Sequence, residues 1–301
     1  MSVSLPERLR ARWRDWQFQR RQSAILPRPV PADWADWQRA FPALPARLPQ
    51  ARRRAEAEHA RLCAQYPALS QWPAGLPDVI SADSLTLLWL ADGHLRPWMT
   101  PDWWTLQAGA PDAMLATLDV GTKNAAVMPG WATFLAAQAA QMAATVLQLD
   151  AIELDAGRRY RDGRRRVDYG QALMTWCQSL LSATGVSAAQ TRYLAGDVLA
   201  HTGRHALITW LMPFVFARPH QRWGLPDRHF QPRAMAAHVL SLLAPGGLLL
   251  CVHLNELEAD AQAAHWQACE LPHRLLSCAV VEDPWLYPGS RRVVTVLQRL
   301  A

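Results

Sequence analysis

Leu115-Ala116-Thr117-Leu118-Asp119-Val120-Gly121-Thr122-Lys123-Asn124-Ala125 is a short apolar run that ends in an acid and turns on a glycine. Such a run reads as a buried strand entering a loop. Helix-periodic sequence follows near 131–144, so the loop joins a strand to a helix. The alternation then repeats. Strands are predicted at 115–120, 147–153, 191–196, 206–212, 247–253, 275–281 and 293–299, with further helices near 168–183, 231–243 and 255–268. The third of these helices has Pro232 in its first turn, Met235, Val239, Leu242 and Leu243 on one face, and Pro245-Gly246-Gly247 to stop it. Strands alternating with helices at this spacing imply an α/β fold with a parallel sheet wound on both faces. The last two strands lack an intervening helix and are joined through Glu282-Asp283-Pro284 and Pro288-Gly289-Ser290, so they should pair antiparallel.

Upstream the character changes, and residues 1–112 are expected to form a basic, tryptophan-rich helical cap on a domain spanning 113–301. Residues 1–66 carry 13 arginines against 6 acids, and the rest of the chain is close to neutral. Pro27, Pro29, Pro31, Pro42, Pro45 and Pro49 divide this end into helices expected near 6–24, 32–40 and 50–65. In the first, Leu9, Trp13, Trp16 and Arg20 share one face. The leading reading makes Trp13, Trp16, Trp34 and Trp37 core anchors with a solvated arginine face. The competing reading is a surface that binds RNA or another polyanion. Residues 77–111, with an apolar stretch at 85–90 and a Trp98, Trp103, Trp104 cluster, are expected to join cap and sheet.

With 301 residues, 50% of them apolar and 19% charged, the chain can bury a large core, which excludes disorder and a disulfide scaffold. No apolar run approaches the ~20 residues of a membrane span. The first residues lack an apolar signal-type segment, and a cytoplasmic protein is expected. Five cysteines without a C-x-x-C pair read as buried reduced thiols.

In a doubly wound sheet, ligands sit at the carboxyl ends of the strands beside the topological switch point. Acids fall at three successive such ends: Asp119 before Gly121, Glu153, and Asp197 after Gly196. With Pro245-Gly246-Gly247 before the leucine-rich fifth strand, residues 113–301 resemble the class I S-adenosylmethionine-dependent methyltransferases. The resemblance implies a seven-stranded Rossmann-like sheet with an antiparallel final strand, S-adenosylmethionine as cofactor, and methyl transfer to an unidentified acceptor. It also implies that Asp119 and Gly121 lie beside the methionine part of the cofactor, that Glu153 takes the ribose hydroxyls, and that Asp197 faces the adenine amino group.

The first loop departs from the family's G-x-G-x-G, reading Gly121-Thr122-Lys123-Asn124-Ala125. Lys123, the sole lysine among 31 basic residues, is expected to contact the cofactor's carboxylate or pair with Asp119, and Asn124 to take a glycine-like conformation. The other reading is a non-catalytic binding protein of the same fold, with Lys123 in solvent. Leu211-Met212-Pro213-Phe214 retains only the Pro-Phe part of the Asn/Asp-Pro-Pro-Tyr/Phe pattern of amine methyltransferases, which disfavours methylation of a base nitrogen. His253 and Glu256 are the catalytic candidates, a general base and the group orienting it. Against this, Asn255 as N-cap with Glu256 and Glu258 as first-turn acids explains the same residues, and is favoured. Arg158, Arg159, Arg161, Arg164, Arg165 and Arg166 around Tyr160 fit a phosphate-bearing ligand or a solvated loop equally. His201 and His205, four apart with no third ligand in view, do not make a metal site. The absence of G-x-G-x-x-G after the first strand argues against a nicotinamide oxidoreductase.

Overall fold

The computed structural model describes residues 5–23, 27–108, 114–142, 146–186, 188–285 and 290–301. Its centre is one seven-stranded sheet: β1 (Leu115–Val120), β2 (Val146–Glu153), β3 (Ala188–Ala195), β4 (His205–Leu211), β5 (Leu243–His253), β6 (His273–Glu282) and β7 (Arg291–Arg299). The order is β3-β2-β1-β4-β5-β7-β6. Strands β1 to β5 are parallel, and β7 runs antiparallel to both β5 and β6. Chain order reverses between β1 and β4, so the crevice of the switch point opens at the carboxyl end of β1. Each predicted strand is present, with its ends moved by at most a few residues. Part of the hairpin loop, Pro288 and Gly289, lies outside the described residues.

The helices are α1 (Leu5–Gln22), α2 (Pro49–Gln65), α3 (Asp78–Leu90), α4 (Pro101–Ala108), α5 (Met128–Met142), α6 (Arg166–Ala183), α7 (Ala217–Arg222), α8 (Pro232–Leu242) and α9 (Glu256–Gln267). Residues 34–39, predicted helical, form a 3-10 turn capped by Asp33. Pro245-Gly246-Gly247 does not stop α8. That helix ends at Leu242, Leu243 is already extended, and the Pro-Gly-Gly lies where the β4/β5 register slips. Gly246 sits at φ +77, and a Cβ there would meet Leu106 of α4 at 2.5 Å.

The segment expected only to join cap and sheet contains α3, a core helix. Ile80, Ala82, Ser84, Leu85, Leu87, Leu88 and Leu90 are all buried. Its polar residues, Ser81, Asp83, Ser84 and Thr86, are scattered around the helix rather than gathered on one face, so no 3.6-residue period reveals it. It crosses α5 closely enough that a Cβ on Gly130 would come within 1.9 Å of the Ser84 carbonyl oxygen. The boundary at 112/113 falls outside the described residues. On either side of it, Trp37, Tyr66, Leu87 and Trp103 belong to the same buried cluster as Leu115, Leu147 and Tyr169.

The tryptophans divide. Trp37 is buried with Trp34 packed against it, but Trp13 and Trp16 are 56% and 47% exposed. The expectation that they anchor the core is corrected. The inner face of α1 instead carries buried Phe18, with Arg14 and Asp15 ion-paired to Asp227 and Arg228. His201 and His205 do not share a helix: His201 lies in a loop and His205 opens β4. A third group, Asp150, is nearby after all, but Arg192 and Gln148 hold both its oxygens.

Candidate functional site

At the carboxyl end of β1 a cavity of about 630 Å³ opens between the sheet rim and the N-terminal region. That volume lies within the ~300–1,000 Å³ typical of small-molecule sites. Of the predicted residues, Asp119, Gly121, Lys123, Glu153 and Asp197 line it. Asn124 does not; it is buried, and its side-chain nitrogen lacks a partner among the described residues.

Asp119 is the last but one residue of β1 and is 1% exposed. Oδ1 accepts a 2.6 Å hydrogen bond from Thr209, while Oδ2 meets the hydrogen-bond geometry with no group among the described residues. Burial pushes its carboxyl up to about 6, against the opposing pull of the Thr209 and Thr122 hydroxyls. A buried, half-satisfied carboxylate is costly, so it marks a place for a donor or a cation.

The loop that follows keeps glycine-like backbone geometry with only one glycine. Gly121, Lys123 and Ala125 occupy the three glycine slots of G-x-G-x-G, and they sit at φ +73, +56 and +60. The left-handed residue is therefore Lys123, followed two positions later by Ala125; Asn124, expected to adopt that conformation, does not. Two contacts hold Lys123 there: its N–H donates to Glu153 Oε2 at 2.8 Å, and its carbonyl accepts from the Tyr193 hydroxyl. The side chain leaves the loop with Nζ 5.8 Å from the centre of the Trp223 ring.

Glu153 ends β2 and is 6% exposed. Oε1 accepts from the Asp155 N–H and from Arg166, both at 2.8 Å, while Oε2 accepts from Lys123. A carboxylate has about four acceptor positions, so one remains. Arg166 is itself buried, unlike the solvated loop residue considered for it, and lies 5.2 Å from the Trp223 ring. Asp197 caps the short turn after β3, accepting from Leu199 N–H at 3.0 Å. Its other oxygen lies 3.0 Å from His229 Nδ1, a contact that holds its carboxyl below the usual range.

His253 and Glu256 are not brought to the cavity. His253 is fully buried beside Cys251 and Trp266 on the opposite side of β5, and burial pushes its imidazole down to about 4. Glu256 is exposed and pairs with Arg291, while Asn255 Oδ1 accepts from Glu258 N–H as a helix cap.

The far wall carries groups the sequence did not single out. Asp83 of α3 lines it with Leu87, Trp89, Leu90, Leu44 and Val281. Its carboxyl is raised by burial, against the pull of Lys123 and with the repulsion of Asp283. Leu211, Met212, Pro213 and Phe214 line the cavity as well, with Met212 in the left-handed region at φ +55 and its N–H donating to the Val252 carbonyl.

A Rossmann-like sheet in this strand order, with its last strand antiparallel, is the arrangement that the sequence's resemblance to the class I S-adenosylmethionine-dependent methyltransferases implies. No family model and no curated protein matches the chain. Among solved structures it is similar to magnesium protoporphyrin IX methyltransferase from Synechocystis PCC 6803 with bound SAM, at 11% identity over 99% of this chain and 100% of that one, with a TM-score of 0.40. It is also similar to TrmN from Thermus thermophilus, at 19% identity over 70% of this chain and 52% of that one, with a TM-score of 0.35. A third is the 16S rRNA (adenine(1408)-N(1))-methyltransferase from Catenulisporales acidiphilia, at 12% identity over 67% and 92%, with a TM-score of 0.38. The chain spans about half the length of the TrmN chain and of two further methyltransferase chains. Among the described residues no helix is long and apolar enough to cross a membrane.

Proposed function

We propose that this protein binds S-adenosylmethionine at the rim of β1 and β2 and transfers its methyl group to a small, largely apolar acceptor held against α3. The observation that carries the reading is the orphaned Asp119 Oδ2, buried in a cavity of small-molecule size beside a loop whose three glycine slots are all left-handed. The residues fit the cofactor. Asp119 would take the ammonium of its methionine part, the one remaining acceptor position of Glu153 a ribose hydroxyl, and Asp197 the adenine amino group. When bound, the cofactor supplies an electrophilic methyl on a sulfonium.

The protein's own share is then to align the acceptor and keep water out. Leu87, Trp89, Leu90 and Leu44 form an apolar wall that suits a compact hydrophobic molecule better than an open, charged polymer. Asp83 is a carboxylate on that wall, with Asp283 close by, and the candidate to receive a proton from an acceptor hydroxyl or amine. Titration calorimetry with S-adenosylmethionine and S-adenosylhomocysteine tests the reading. Saturable binding of either that weakens at least about tenfold in Asp119→Asn supports it, since a hydrogen bond to a charged group contributes ~1.5–3 kcal/mol. Failure of both to bind at sub-millimolar concentration refutes it.

A further inference from the structure

The chain is basic overall, with a formal charge of +6, yet its cavity is acidic. Seven carboxylates line it against three basic side chains, Lys123, Arg166 and Arg292. Most of these acids are matched. Glu153 pairs with Arg166, Asp155 with Arg21, and Asp197 meets His229. Glu258 accepts from the Leu254 N–H with Arg292 acting on it, and Asp283 accepts from the Thr86 hydroxyl and the Trp285 N–H. Asp119 and Asp83 remain. Asp119 is held by neutral hydroxyls on the side of the cavity assigned to the cofactor. Asp83 accepts no hydrogen bond and joins no ion pair among the described residues. The Lys123 ammonium acts on both carboxylates from a distance and pairs directly with neither, its Nζ standing near Trp223. One cation shared between two acids does not balance both, and Asp283 adds its repulsion at Asp83.

Val79, Asp83, Leu87 and Leu90 follow one another along a single face of α3, and all four line the cavity. The carboxylate therefore stands about one turn from an apolar side chain on either side. Trp89 and Leu44 complete the wall. A hydroxyl would hydrogen-bond there but bring no charge, and a hydrated metal ion would leave the apolar surface uncovered. An organic ammonium meets both demands, its charge opposite the carboxylate and its carbon body against the leucines and the indole. We propose that the acceptor side of the cavity takes a small organic ammonium with an apolar body, its nitrogen held by Asp83, and that this nitrogen is the methyl acceptor. The inference rests on the methyl-transfer reading and narrows its acceptor from a hydroxyl or amine to an amine. An ammonium has no free electron pair, so it first gives a proton to the Asp83 carboxylate. Burial holds that carboxyl above its usual range, which makes it the better proton acceptor. The freed nitrogen pair then forms the new N–C bond, while the pair of the broken C–S bond stays on sulfur. The product leaves as the methylated ammonium, and Asp83 returns its proton to solvent.

The test is titration calorimetry of the full chain with phenethylamine, hexylamine, 2-phenylethanol and 3-phenylpropanoate, each with and without saturating S-adenosylhomocysteine. At least one amine is expected to bind about tenfold or more tightly than the alcohol and the acid, the size of a hydrogen bond to a charged group. In Asp83→Asn that discrimination should vanish while S-adenosylhomocysteine affinity is unchanged, whereas a purely structural role would weaken amine and alcohol together. The comparison of amine with alcohol on the unmodified chain holds whether or not the variant folds. Incubating the bound amine with S-adenosylmethionine should yield its N-methyl derivative, read by mass spectrometry. The proposal is overturned if neither amine binds at millimolar concentration, if the alcohol binds as tightly as the amine, or if folded Asp83→Asn keeps the preference. It is overturned equally if a bound amine is not methylated by a chain that binds S-adenosylmethionine. A chain that binds an amine but neither S-adenosylmethionine nor S-adenosylhomocysteine refutes the methyl-transfer reading, and the acceptor role with it, through a separate measurement.

Discussion

Glu153→Ala is the most informative single substitution, because the structure gives that carboxylate a second duty beside any contact with a ribose. Removing it leaves the Arg166 guanidinium, 5% exposed, without its ion-pair partner, and leaves the Lys123 and Asp155 N–H groups without an acceptor. Breaking one side of a buried pair costs ~3–5 kcal/mol. The lower end, about 3 kcal/mol, is expected here, since Asp155 lies close by and still acts on Arg166 electrostatically. Arg166→Met in the same background removes the orphaned charge while keeping most of the side chain's bulk. The double variant should therefore lose less stability than the two single losses added, with a coupling of roughly 1.5–3 kcal/mol. Urea unfolding of the four proteins, followed by far-UV circular dichroism, measures it. Losses that add to within about 0.5 kcal/mol would show that the pair is not coupled, and the clamp assigned to Glu153 would be wrong. The same result bears on function: loss of cofactor binding in Glu153→Ala reports a lost ribose contact only if the loop at Lys123 is still in place.

The buried Asp119 should make ligand binding depend on pH. Its carboxyl is raised from 3.8 to about 6, so the folded state holds the proton more tightly than the unfolded one, and folding stability falls as pH rises through that window. A cationic ligand beside Oδ2 needs the ionised form. Its affinity should rise by up to about tenfold per pH unit toward pH 6 and level off above it, a profile that calorimetry should find flat in Asp119→Asn. At the loop, Lys123→Gly should melt higher than Lys123→Ala by an amount equivalent to about 1 kcal/mol, because only alanine keeps the Cβ strain at φ +56. Equal melting temperatures would contradict that conformation. Gly130→Ala should destabilise by at least about 3 kcal/mol, since backbone rather than a movable side chain blocks the new Cβ; a well-folded variant of normal stability would put the α3 and α5 crossing elsewhere. Asp83→Asn should leave S-adenosylmethionine affinity within about twofold while slowing transfer at least about a hundredfold once an acceptor is in hand, the size of a general-base contribution. Unchanged turnover would remove Asp83 from the chemistry.

The sheet was legible because its strands are short apolar runs cut by glycine and acids, and because period and spacing alone separate parallel from antiparallel pairs. The rim acids followed from the same logic, since strand ends are countable. Other features turn on long-range partners. The stripe of Leu9, Trp13 and Trp16 has the same spacing whether it faces the core or solvent, and it is tertiary contacts that orient α1: the burial of Phe18 and the ion pairs of Arg14, Asp15 and Arg21 with residues more than a hundred positions away. Arg166 stands in an arginine-dense run that reads as solvated, yet it is the one drawn under the loop by Glu153. Asp83 stands just before the apolar stretch at 85–90, between Ala82 and Ser84, and nothing local distinguishes a cavity wall from a helix surface.

Lys123 shows how a sequence departure and a preserved geometry coexist. A non-glycine residue in the left-handed region costs ~1–2 kcal/mol. Against this stand the bond from its N–H to the Glu153 carboxylate, contributing ~1.5–3 kcal/mol, and the bond its carbonyl accepts from Tyr193, contributing about 1 kcal/mol. The second depends on Gly170, where a Cβ would meet the Tyr193 ring at 2.3 Å. Glycine at the middle slot is thus replaced by a clamp from the ends of β2 and β3, and the side chain that glycine would have lacked is drawn toward Trp223. The loop keeps its shape through tertiary contacts rather than through its own residues, so a motif built on glycine spacing finds it degenerate although all three slots remain left-handed.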